Sequence, residues 1–149
     1  MKTKVNEISI KYQGNFKLSE APKITSSLSA FELLYRTWNK YQIELQECFK
    51  VLLLNNSNKV KGVYQVSLGG ITGTLVDIRI LFGVILKSLT TSIIVAHNHP
   101  SGTLKPSFAD KKITSKIQKA CSYFDIKLLD HLILTSDRDY YSFADEGML

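Results

Sequence analysis

The apolar positions change period several times along the chain, and each change marks an element. The opening residues alternate loosely at Ile8, Ile10 and Tyr12 and give way to Ser19, Pro22, Ser26 and Ser27, which predicts a short strand or arm and a polar linker over residues 1–24, with some mobility. From Ser29, a helix-capping residue type, the positions Phe31, Leu34, Tyr35, Trp38 and Tyr41 recur at three- and four-residue spacing, with Glu32 in the first turn. That stripe predicts an amphipathic helix facing a core. The run Cys48-Phe49-Lys50-Val51-Leu52-Leu53-Leu54 is too short for a helix and is bounded by Asn55-Asn56-Ser57-Asn58, so it reads as a buried strand with a carboxylate, Glu47, at its entrance. Val60 to Ile71 carries Val63, Tyr64, Val66 and Leu68 and includes Gly69-Gly70 near its end, so the two runs form an antiparallel hairpin across the Asn-rich turn.

Thr74 or Asp77 can start a helix through Ile78, Leu81, Phe82, Ile85 and Leu86, apolar enough all round to pack on a sheet face. Ser92 to Ala96 then reads as a fully buried central strand that delivers His97 at its C-terminal end. From Ser107, the spacing of Ile113, Ile117, Ala120, Cys121 and Phe124 gives an amphipathic helix with four lysines on its other faces. Ile126 to Thr135 supplies another strand, Asp137-Arg138-Asp139 a turn, and Tyr140 to Phe143 an edge strand. Strands alternating with helices indicate an α/β domain with a mixed sheet.

Composition narrows this picture. A chain of 149 residues with 44% hydrophobic and 21% charged residues suits one compact domain, able to bury roughly two-thirds of its unfolded surface without a disulfide or structural metal. Collagen-like, low-complexity and disordered classes are excluded. The longest apolar stretch, Ile80 to Leu86, stops at Lys87, far short of the ~18 residues a membrane crossing needs. The N-terminus has charges without a following apolar segment or cleavage site, so a cytoplasmic protein is expected. Cys48 and Cys121 fit no paired motif and sit among apolar neighbours, as reduced core cysteines do. The formal net charge of +6 arises from residues 1–100, whereas the last 49 residues carry seven charges of each sign. No basic stripe dedicated to nucleic acid is evident.

The chemistry concentrates in Ala96-His97-Asn98-His99-Pro100-Ser101-Gly102 and Pro106-Ser107-Phe108-Ala109-Asp110. Two His at i and i+2 on an extended segment project to the same side and can reach one ion. Asp110, in the first turn of the next helix, can add a carboxylate oxygen, giving three protein ligands and a fourth tetrahedral position for water. A separate carboxylate could move that water's proton, and a hydroxyl could stabilise an oxyanion; Glu47 and Ser107 are the candidates. Each has a plainer reading. Glu47 is one of six glutamates and would serve equally as a solvated strand end, and Ser107 with Asp110 resembles a helix capping box, a role that can coexist with catalysis. His131 could be a further metal ligand, but a histidine held by a local carboxylate or backbone partner is the favoured reading, which leaves it outside the ligand set. The His-Asn-His letters do not make a nuclease of that name, whose residues are dispersed through a ββα element. The His-x-Glu and Pro-Cys-x-x-Cys of zinc deaminases are absent.

Glu47, then His97-x-His99, seven residues, Ser107, two residues and Asp110 resembles the JAMM motif of JAB/MPN metallopeptidases, and AHNHPSG, KPSFAD, LLDHLIL and YYSFADEG resemble its bacterial RadC-like branch, historically called DNA repair proteins. The resemblance covers about residues 25–149. It implies a cytidine-deaminase-like arrangement of α/β/α layers, a curved mixed β-sheet with flanking helices. It further implies one Zn2+ held by His97, His99 and Asp110, with Glu47 as acid/base, Ser107 as oxyanion stabiliser, and a peptide or protein substrate cut at a peptide or isopeptide bond. Longer members carry a helix-hairpin-helix-like N-terminal region, whereas only an arm and one helix precede Glu47 here. The competing expectation is a DNA-associated accessory module that keeps the fold and acts by binding.

Overall fold

The structure, a computed structural model, describes residues 4–9, 13–70 and 73–149. Ile10 and Tyr12 of the predicted arm and Ile71 of the predicted hairpin lie outside them. In order, the elements are α1 (Ser27–Thr37), β1 (Cys48–Leu54), β2 (Val60–Leu68), α2 (Ile78–Lys87), β3 (Ser92–Asn98), α3 (Phe108–Ser122), β4 (Lys127–Leu134) and β5 (Tyr140–Ser142). The strands form one mixed sheet in the order β2-β1-β3-β4-β5. Only β3 and β4 are parallel, and α3 connects them, as a parallel pair requires a crossover.

Period-2 alternation divides the core in two. On one face Cys48, Leu52, Leu54, Ile94, Ala96, Leu132 and Leu134 pack with Ala30, Phe31, Leu34 and Trp38 of the α1 region. On the other, Phe49, Val51, Leu53, Ile93 and Val95 pack with Leu81, Phe82 and Ile85 of α2 and Ile117 and Cys121 of α3. The result is an α/β/α sandwich around an open sheet, as the element order predicts. β1 and β3 are buried at every position because both faces are covered.

Helix starts follow side-chain caps. Ser26, not Ser29, is the N-cap of α1; Ser29 is the third helical residue, and its hydroxyl accepts from the Ser26 amide at 3.0 Å while its own amide donates to Ser26 Oγ at 3.1 Å. This reciprocal box satisfies two amides that the first turn leaves without partners. It also shifts the helix N-terminally, so that Glu32 lies beyond the first turn and α1 ends at Thr37. Tyr41 therefore falls in the following turn and is 88% exposed instead of joining the core stripe. Lys50 closes the other end: its buried Nζ donates to the Thr37 carbonyl at 3.2 Å and lies 4.5 Å above the Trp38 ring. A cation at a helix C-terminus offsets the helix dipole, and Lys50 retains these partners although burial lowers its pKa.

The expected polar linker is docked at its end. Ile24 is buried and donates its amide to the Asn58 carbonyl at 2.9 Å, and Val60 donates to the Pro22 carbonyl at 2.8 Å. The described residues before it form no strand, and Ile8 is 91% exposed. No helix among the described residues is long and apolar enough to cross a membrane.

Leu34 is fully buried between α1 and the sheet. Leu34→Ala is expected to destabilise the fold by about 2–5 kcal/mol, read as a lower denaturant midpoint.

Candidate metal centre

The site forms where three chain segments meet at one end of the sheet. In the antiparallel ladder, Phe49 of β1 is level with His97 of β3. Glu47 immediately precedes β1 and His99 immediately follows β3, and both line the same cleft as His97. Odd-numbered positions of both strands face α2 and α3, so Glu47, His97 and His99 all project toward the N-terminus of α3. Ser107 caps that helix, and Asp110 is its third residue.

The ring atoms converge tightly. His97 Nε2 lies 2.9 Å from His99 Nε2 and 3.1 Å from Asp110 Oδ1, and His99 Nε2 lies 3.2 Å from Asp110 Oδ2. Zinc bonds of about 2.0–2.2 Å in a tetrahedron place donor atoms roughly 3.3–3.6 Å apart, so small outward shifts of these side chains seat such an ion. His97, His99 and Asp110 are thus a group able to hold a metal ion, with ligand atoms all within 4.8 Å of one another. His131 is not part of that group.

Each candidate ligand is braced from behind. The Thr103 carbonyl can only accept, so His99 Nδ1 donates to it at 2.6 Å, which leaves the lone pair of a neutral ring on Nε2. Asp110 Oδ2 accepts the Ser107 amide at 2.7 Å, and Ser107 Oγ accepts the Asp110 amide at 3.0 Å. The capping box is therefore real, and it orients the carboxylate. As a cap, the Ser107 hydroxyl uses only a lone pair, so its proton stays available to another acceptor.

Burial works against ionisation of Asp110, but the adjacent His97 and His99 imidazoles, with the Ser107 amide, outweigh it and hold the carboxyl well below the usual carboxylate range. For His99, burial opposes protonation, and the Asp110 carboxylate and Thr103 carbonyl overcome it to raise the pKa. Glu47 is half-buried, and that desolvation raises its pKa against the opposing charge of the two imidazoles. A carboxylate with a raised pKa in a cleft is a candidate proton carrier.

His131 differs from expectation. Its ring is held neither by a local carboxylate nor by backbone: Asp130 bonds the His131 amide at 2.7 Å, while the ring lies between His97 and Thr114. It is fully buried, stacked on Phe143 at 4.7 Å and edge-on to Phe49 at 5.6 Å. Burial, then the neighbouring His97, push its pKa well below the ordinary histidine value, so it stays neutral.

Asn98 is a residue whose role the sequence reading passed over. Alternation turns it away from the two histidines to the other face of β3, where it is completely buried. Its Oδ1 accepts the Cys48 amide at 2.8 Å, and its Nδ2 donates to the Ile43 carbonyl at 2.7 Å and the Gln46 carbonyl at 2.9 Å. Three bonds from one side chain pin the loop that carries Glu47. The Glu47 backbone is paired on its other side, its amide with the Gly70 carbonyl at 3.1 Å and its carbonyl with the Gly69 amide at 2.8 Å. A Cβ on Gly69 would come 2.1 Å from the Gly73 carbonyl oxygen, so glycine is the residue that fits at position 69. Gly73, Leu75, Val76, Pro100, Lys105 and Ile113 line, together with His97, His99 and Asp110, a cleft of about 770 Å3.

The sandwich, with its His-x-His strand end and an aspartate at the following helix start, is consistent with a JAB/MPN-like fold. The chain belongs to the RadC-like JAB domain family, whose model matches residues 24–148. It is 51% identical over 126 residues to a UPF0758 protein of Flavobacterium johnsoniae, covering 85% of this chain and 53% of that protein. A UPF0758 protein of Porphyromonas gingivalis is 42% identical over 124 residues, 83% of this chain and 55% of its own length. One from Streptococcus gordonii is 36% identical over 119 residues, 80% of this chain and 52% of its own. The chain spans about half the length of these curated relatives.

Asn98→Asp keeps the shape of the side chain but replaces its two donated bonds with repulsion against carbonyls. It should destabilise the fold by about 1–3 kcal/mol or more in chemical denaturation, with a larger loss at pH 8 than at a pH where the new carboxyl is protonated.

Proposed function

We propose that this chain is a JAMM-type zinc-dependent hydrolase that cuts peptide or isopeptide bonds of a peptide or protein substrate, with residues 25–149 as the working domain and 1–24 as an arm. The observation that carries the reading is the convergence of two imidazole Nε2 atoms and one carboxylate within 3.2 Å of each other, beside a half-buried glutamate. Two neutral nitrogens and one carboxylate make a three-ligand set that suits zinc at an open catalytic site. His97, His99 and Asp110 would hold the ion, which when bound lowers the pKa of a coordinated water to about 7 and polarises the scissile carbonyl.

The chain's own groups supply the rest. Glu47 accepts the proton of the attacking water and delivers it to the leaving amine, a transfer favoured by the raised pKa of its carboxyl. Ser107 Oγ, fixed in place by its cap bond to the Asp110 amide, donates its free proton to the developing oxyanion. The cleft lined by Leu75, Val76, Lys105 and Ile113 is where the substrate would bind, with Ile113 and Val76 offering apolar contact beside the reacting carbonyl.

Elemental analysis tests the foundation. About one zinc per chain is expected in the wild type, with His97→Ala and His99→Ala both metal-free; a wild type that holds no zinc even after reconstitution removes the hydrolase reading and leaves nucleic-acid binding as the alternative. On a cleaved peptide or isopeptide substrate, Glu47→Gln should keep its zinc and lose turnover. Ser107→Gly should lower kcat by about 10²–10³ while costing only a few tenths of a kcal/mol as a helix cap.

A further inference from the structure

We infer that His131 and Thr114 are positioning residues that fix the tautomer of His97, keeping the Nε2 lone pair aimed at the metal; the inference rests on the zinc reading above. A chain of hydrogen bonds carries it. Thr114 Oγ1 lies 2.6 Å from the Asp110 carbonyl oxygen and 2.6 Å from His131 Nδ1, and His131 Nε2 lies 2.8 Å from His97 Nδ1. The Asp110 carbonyl only accepts, so the single hydroxyl proton of Thr114 is directed to it. Thr114 Oγ1 must then accept from His131, which places the His131 proton on Nδ1. His131 Nε2 is left bare and accepts the Nδ1 proton of His97, and the lone pair of His97 falls on Nε2.

Reversing the sense of the chain has a definite consequence. If the threonine hydroxyl donated to His131, then His131 would donate to His97, and an N–H on His97 Nε2 would occupy the direction of the ion. The Asp110 carbonyl therefore selects the arrangement competent for metal. It also ties the two ligand-bearing elements together, because Asp110 on α3 is linked through Thr114 and His131 to His97 on β3. Thr114 is 3% exposed and His131 is fully buried against Phe143, so water does not replace either partner. The pairing also explains why a threonine stands at the fourth position after Asp110, on the same helix face.

The decisive measurement is zinc affinity by chelator competition, together with ¹⁵N spectra of the imidazole rings in the zinc-loaded protein. Thr114→Val removes the acceptor and should weaken zinc binding by about 10–100-fold, whereas Thr114→Ser, which restores the hydroxyl, should recover most of that loss. The wild-type spectra should show His131 protonated at Nδ1 with Nε2 bare. A Thr114→Val protein that binds zinc as tightly as wild type overturns the inference while leaving the zinc site intact. A His131 proton on Nε2 overturns it in the wild type itself, with no dependence on how a variant folds. A wild type that takes up no zinc removes the reading beneath it, and the inference with it.

Discussion

Two imidazole nitrogens and a carboxylate held about 3 Å apart, at the end of a buried strand, are the constraint around which this structure is organised. Side chains gathered so closely lose hydration, and the fold must supply replacement partners for each. It does so with very local means for two of them: a carbonyl four residues after His99, and a helix cap three residues before Asp110. His97, deepest of the three and only 1% exposed, is served by a second histidine drawn from the neighbouring parallel strand. The parallel pairing of β3 and β4 is thus a condition for the site as well as for the core, since it brings His131 behind His97.

The alternation of β3 does double duty. His97 and His99 face α3, and the residue between them faces the other way into the layer covered by α1. Asn98 uses that position to bind the Cys48 amide and two carbonyls of the preceding loop. A buried polar side chain in a strand otherwise apolar from Ile93 to Ala96 is expensive unless fully bonded, and all its bonds go to backbone. The loop so fixed ends at Glu47, so one tripeptide both presents the candidate ligand pair and holds the candidate proton carrier beside it.

The periodic signals were legible in the sequence because they are local. Apolar runs gave β1 and β3, the helical stripe after Ser107 gave α3, and the Asn-rich turn gave the β1–β2 hairpin. The start of the first helix is ambiguous in the sequence because Ser26, Ser27 and Ser29 are all capping residue types; the reciprocal Ser26–Ser29 box settles it, and Tyr41 falls beyond the helix end. His97, His99 and Asp110 were legible from spacing alone, since a strand end and the next helix start are contiguous in the chain. Glu47 was not: it reaches the histidines only through the pairing of β1 with β3, strands far apart in the sequence, and its case rested on the family resemblance. Asn98, Thr114 and His131 share that difficulty. The position of Asn98 between two histidines at a strand end is the one local hint, and the His131 pairing has no counterpart in any local period.

The choice of a histidine behind His97 has an electrostatic consequence for the proposed chemistry. A carboxylate there would make His97 a stronger donor, but it would bring a second negative charge into a dry interior that already holds Asp110. With a divalent ion bound, neutral imidazoles and one carboxylate leave a local charge of about +1; a second buried carboxylate would cancel it and weaken the acidification of the attacking water. Burial against Phe49 and Phe143 keeps His131 neutral. By excluding solvent from the His131 ring, the aromatic pair preserves an acceptor for His97 without adding charge, so an ion held at the proposed site would keep its acidifying effect.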